Sequence, residues 1–124
     1  MIEKYFQQVE SILREFPIIH SYALSKKIYN NQQGMIGGKI SFENGNSLEF
    51  LEVVDTEQEA KMKCRYHYMD KSNNLIFHYD NAPHHPQVKS FPHHKHTTKK
   101  IKTSKEPSLR DVLFEIMKST KKRK

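Results

Sequence analysis

The chain has 124 residues and a formal net charge of +7, long enough for one domain with a modest core and too short for a second. Its single cysteine, Cys64, excludes an internal disulfide and any cysteine-rich zinc motif, and no apolar run reaches the ~18 residues of a membrane helix. The N-terminal stretch MIEKYFQQVE carries acids where a signal peptide would carry a basic region and an apolar core, so a cytoplasmic location is expected.

In chain order, Tyr5, Phe6, Val9, Ile12, Leu13 and Phe16 recur at spacings of one, three and four, which predicts an amphipathic helix that Pro17 ends. Residues 18–29 read as a strand closed by the polar turn Asn30 to Gly34. Ile36, Ile40 and Phe42 then alternate with other residues as far as Glu43, and Asn44-Gly45 marks a hairpin before Leu48 and Phe50 resume the alternation. Glu59-Ala60-Lys61 has the E-x-K spacing of metal-dependent nucleases, with Asp55 and Glu57 just before it, but it reads first as a solvated acidic turn.

Two further strands are expected over 60–69 and 75–80, joined by the turn Asp70 to Asn74. Alternation puts Cys64, Tyr66 and Tyr68 on one face of the first and Arg65, His67 and Met69 on the other. In the second it sets Leu75, Phe77 and Tyr79 against Ile76, His78 and Asp80, so Arg65, His67, His78 and Asp80 can form one polar set. The aromatics Tyr66, Tyr68, Phe77 and Tyr79 suit either base stacking or, more commonly, a core. Cys64 reads as a small buried strand residue.

Residues 79–96, YDNAPHHPQVKSFPHHKH, hold five histidines and three prolines. Pro83, Pro86 and Pro92 predict a stiff surface loop, because each fixes φ and removes a backbone donor. Beyond it Lys99, Lys100, Lys102 and Lys105 surround Ile101, and Pro107 stands where a helix would begin, with Ser108 and Asp111 at capping-box spacing. Leu109, Val112, Leu113, Ile116 and Met117 continue as an amphipathic helix to about Ser119. The expected fold class is α+β: one domain over residues 1–120, an antiparallel sheet of about five strands with both helices on one face, and a basic tail over 121–124.

Charge is uneven along this fold. Residues 1–60 hold five Lys/Arg and nine Asp/Glu, a balance of −4, whereas residues 61–124 hold 16 and five, a balance of +11. A strongly positive end attracts polyanions, nucleic acid foremost. Neighbouring imidazoles can supply a proton acceptor and a proton donor together, which suits metal-independent RNA cleavage with a cation on the phosphoryl oxygens. The catalytic candidates are His84, His85, His93, His94, His96, Lys95 and Tyr79; the nucleic-acid-binding candidates are Arg65, His67, His78, Lys89, Lys99, Lys100 and Lys102. Three imidazoles can also bind zinc, nickel or copper, but six lysines between 89 and 105 oppose a dication, so no metal or other cofactor is expected. A binding module without turnover and a metal-dependent hydrolase are the alternatives.

YHYMD, HYDNAPHHP, FPHHKH and the helix EPSLRDVLFEI resemble the TumE-type toxins of prokaryotic toxin–antitoxin modules over most of the chain. The resemblance implies a small cytoplasmic toxin paired with an antitoxin that carries a helix-turn-helix domain. It marks His84, His85, His93, His94 and His96 as a functional surface without assigning a reaction. RNA, that antitoxin and a second copy of the chain are the expected partners, and no membrane.

Overall fold

The computed structural model describes residues 1–58, 60–81, 94–97, 101–103 and 107–122, with 60, 94–97, 101–103 and 121–122 described by backbone alone. Helix α1, Ile2–Arg14, is followed by five strands: β1 Ile19–Ile28, β2 Gln33–Phe42, β3 Ser47–Asp55, β4 Ala60–Met69 and β5 Leu75–Asp80. Two short strands, β6 His94–Thr97 and β7 Ile101–Thr103, precede helix α2, Leu109–Lys122. Among the described residues the strands form one antiparallel sheet in the order β1 to β7, each paired with its sequence neighbours.

The turns follow from local chemistry. At the β2–β3 hairpin Gly45 has φ +91°, a left-handed conformation that glycine adopts without a Cβ penalty, and its N–H donates to the carbonyl of Phe42. In the β4–β5 turn Asp70 Oδ1 accepts the N–H groups of Ser72 and Asn74, and Asn73 takes a positive φ. At the start of α2 the N–H of Asp111 donates to Ser108 Oγ while the N–H of Ser108 donates to Asp111 Oδ2, a reciprocal cap. Ser108 is therefore the cap residue, and Pro107 lies one step outside the helix rather than at its first position.

One sheet face is covered. Ile2, Phe6, Val9 and Leu13 of α1 and Leu109, Val112, Leu113 and Ile116 of α2 join Ile36, Ile40, Leu48, Phe50, Cys64, Tyr66, Tyr68 and Phe77 in a single core. Gly34 permits the close approach of α1, since a Cβ there would lie 2.8 Å from Ile2 and 2.6 Å from the Lys27 carbonyl. Tyr66, Tyr68 and Phe77 are buried in this core, so base stacking is not available to them.

Three further readings change. The surface loop expected through His96 ends sooner, because the chain has no proline after Pro92 until Pro107 and is free to pair as β6. Helix α2 runs through Lys121 and Lys122, residues assigned to a basic tail. The E-x-K stretch is a solvated turn only in part: Glu57 and Gln58 are exposed in a turn, whereas Asp55 and Lys61 turn inward. Asp55 is buried and held by Gln33 Nε2 at 3.0 Å, a bond that keeps its carboxyl below the usual range. Lys61 reaches the covered face, where Nζ donates to Tyr66 Oη at 2.8 Å and to the Pro107 carbonyl, 3.7 Å from the fully buried Glu52. Glu59 lies outside the described residues.

Candidate functional site

The uncovered face carries the polar set that alternation along β4 and β5 predicts. Arg65 stands opposite Asp80 and His67 opposite His78, so the four side chains share that face. A register shift between Tyr68 and Met69 sets this pairing. The rows continue across the sheet, with His94 opposite Asp80 and His96 opposite His78. Three histidine positions, 67, 78 and 96, therefore fall in one cross-strand row, beside a row of Arg65, Asp80 and His94.

The hydrogen bonds give this row a direction. His78 Nε2 lies 2.7 Å from Asp80 Oδ2, and His78 Nδ1 lies 2.9 Å from His67 Nδ1. A carboxylate only accepts, so His78 donates through Nε2 and its Nδ1 carries the lone pair. His67 must then donate through Nδ1, which leaves Nε2 of His67 as the basic nitrogen at the end of the chain. The His67 and His78 rings meet nearly edge-on, 5.1 Å between centroids. Asp80 thus fixes a tautomer two side chains away, as second-partner carboxylates do for catalytic imidazoles.

Burial lowers the pKa of His78 from its ordinary 6.5, outweighing the opposing bond from Asp80, while His67 and Arg65 add to the lowering. His78 is consequently neutral at neutral pH, as its acceptor role requires. The unfolded chain binds a proton there that the native chain refuses, so this contribution to stability is complete above pH 6.5 and is lost as the pH falls through the lower folded value. Denaturant titrations across this acid range should show less acid loss in His78→Gln than in the parent chain. Equal acid loss in both would contradict the assignment.

Tyr79 is placed elsewhere. Its hydroxyl donates to Glu115 Oε1 of α2 at 2.6 Å, on the covered side, and burial followed by this bond raises its pKa well above the ordinary value. Lys95 occupies the register position opposite Tyr79, and Lys102 the position opposite Lys95. His84, His85, Lys89, His93, Lys99 and Lys100 lie outside the described residues. The structure thus joins Arg65, His67 and His78, read as binding residues, to the strand that holds His94 and His96, read as catalytic. Among the described residues no three His, Cys, Asp or Glu side chains converge so as to hold a metal ion.

A second polar cluster escaped the sequence reading. Glu52 has no exposed surface, and its two carboxyl oxygens accept the hydroxyls of Tyr5 from α1 and Tyr66 from β4. Burial, then the Glu52 carboxyl, raises the pKa of Tyr66 well above its ordinary value, so its hydroxyl keeps its proton and donates. The available signal was Glu52 in the inward phase of Leu48, Phe50, Glu52 and Val54. Tyr5 and Lys61 also line an open cavity of about 500 Å³ between α1, the end of β3 and the start of α2.

No helix among the described residues is long and apolar enough to cross a membrane. A family model described as Toxin TumE matches residues 9–124. No curated protein and no solved structure matches the chain.

Proposed function

Because the chain belongs to the TumE toxin family, the toxin component of a toxin–antitoxin module, we propose that it acts on RNA as a metal-independent endoribonuclease. Its family implies an antitoxin partner; we assign that partner a helix-turn-helix domain and place both proteins in the cytoplasm. The observation that carries the proposal is the Asp80–His78–His67 chain on the uncovered face, next to Arg65 and in register with His94 and His96.

In the proposed reaction Nε2 of His67 takes the proton of a ribose 2′-OH. The 2′-oxygen attacks the adjacent phosphorus, forming a 2′,3′-cyclic phosphate as the bond from phosphorus to the 5′-oxygen breaks. A protonated imidazole of His94 or His96 gives its proton to that leaving oxygen. Arg65 offsets the charge that develops on the phosphoryl oxygens, and the lysines at 89, 99 and 100 draw the backbone in. His84, His85 and His93 belong to the same histidine-rich segment and are retained as contributors.

The test is incubation of the purified chain with labelled mRNA and tRNA in excess chelator. Cleavage of at least one substrate is expected, with loss in the His94→Ala, His96→Ala double variant. RNA left intact in both cases would contradict the proposal, and salt-sensitive binding without turnover would favour a binding module.

A further inference from the structure

The first edge of the sheet is unusually open. Strand β1 pairs only with β2 among the described strands, and eight of its ten residues are exposed. Its apolar exposure is concentrated, since Tyr22, Ile28 and the following Tyr29 are each at least 40% exposed. Such an edge presents a row of unpaired backbone groups, and natural edges are commonly blunted by proline, bulges or charged side chains, lysine above all; of the two lysines on β1, Lys26 is paired with Glu10 of α1. Here no proline lies between Ile19 and Ile28, and the register shift falls at Ile19/Ser21, leaving Ser21 to Ile28 regular.

The charges of β1 are also unevenly placed. Lys26 and Lys27 sit at one end, while His20, Ser21 and Tyr22 occupy the other. Parallel pairing with an identical strand would set lysine against lysine, whereas antiparallel pairing sets each lysine against the neutral end. Face adds a second constraint. Tyr22, Leu24, Lys26 and Ile28 pair with Ile40, Gly38, Ile36 and Gly34, and Lys26 reaches Glu10 of α1, so these residues lie on the helix side. A two-fold axis perpendicular to the sheet must oppose helix-side residues to helix-side residues.

We propose that β1 pairs antiparallel with β1 of a second copy, making one continuous sheet through a two-fold axis at Leu24. Leu24 then faces the partner's Leu24, and Tyr22 faces the partner's Lys26. Ser21 faces the partner's Lys27, at the end where His20 and Glu43 approach within 3.6 Å. No like charges are opposed, and aromatic and aliphatic side chains meet across the join. The copies meet through the half of the chain with net charge −4 and keep their +11 halves apart. The Asp80–His78–His67 chains lie on β4 and β5, away from the join, so both remain on the uncovered face.

Sedimentation of the full chain over a dilution series tests this. A dimer that dissociates on dilution is expected, with Tyr22→Lys, a change at an exposed site, shifting the mass to monomer at unchanged circular dichroism. Leu24→Cys should form an intermolecular disulfide on oxidation, with the buried Cys64 unreactive. A chain monomeric throughout, with β1 amides protected from exchange only after antitoxin is added, would overturn the proposal. So would a dimer that survives Tyr22→Lys and forms no Leu24→Cys cross-link.

Discussion

Substituting His67→Ala is expected to slow RNA cleavage by about 10²–10⁴-fold, the usual contribution of a positioned proton carrier. The loss should appear in kcat rather than KM, because in the proposed reaction the imidazole acts on a proton in flight and not on the resting backbone. His67 is only partly buried and its ring hydrogen-bonds to His78, so the variant should fold. Asp80→Asn gives a sharper form of the same prediction. An amide at position 80 can donate to His78 Nε2, which would turn the His78 proton to Nδ1 and force His67 to accept. The proton of His67 would then sit on Nε2, where the lone pair is required. A correct geometry with the wrong tautomer is known to disable imidazole catalysis. Expression of either variant alone should no longer arrest growth, whereas activity that merely tracks thermal stability would reduce these side chains to packing.

The largest stability effect is expected at Glu52→Ala, which should lower the unfolding free energy by about 3–5 kcal/mol. Its carboxyl accepts from Tyr5 and Tyr66 in a fully buried setting, and Lys61 links it to the Pro107 carbonyl just before α2. Removing it takes away the oxygens to which the Tyr5 and Tyr66 hydroxyls donate and the counter-charge beside the Lys61 ammonium, a worse outcome than never having buried them. The cluster ties α1, β3, β4 and the start of α2, so the loss should be global and visible in denaturant midpoints. Glu52→Gln should recover part of it, since the amide oxygen still accepts one hydroxyl. A cost below about 1 kcal/mol would mean that apolar packing alone seats the two helices.

Much of this fold is legible in the chain. Strands β4 and β5 fall at the boundaries that alternation and the Asp70 to Asn74 turn predict, and Asn44-Gly45 makes the hairpin its chemistry demands. The polar set of Arg65, His67, His78 and Asp80 is visible for the same reason, because side-chain direction in a strand is fixed by parity. The partnership of His67 with His78 is less legible, since it depends on a one-residue register shift at Met69 that no local residue announces. Strand β6 is masked by composition: prolines at 83, 86 and 92 dominate the stretch, while His94 to Thr97 contains none. The Glu52–Lys61 tie is hidden because an E-x-K triplet in a charged turn reads as solvated, and the irregularity at Val53/Val54 that turns Lys61 inward is tertiary in origin.

The most direct measurement is the chemistry of the RNA ends left by the purified chain in excess chelator. A His67 base with an imidazole donor requires a 2′,3′-cyclic phosphate on one fragment and a 5′-hydroxyl on the other, both lost in His67→Ala. Fragments ending in 3′-hydroxyl and 5′-phosphate, formed only with added metal and unchanged in His67→Ala, would contradict it.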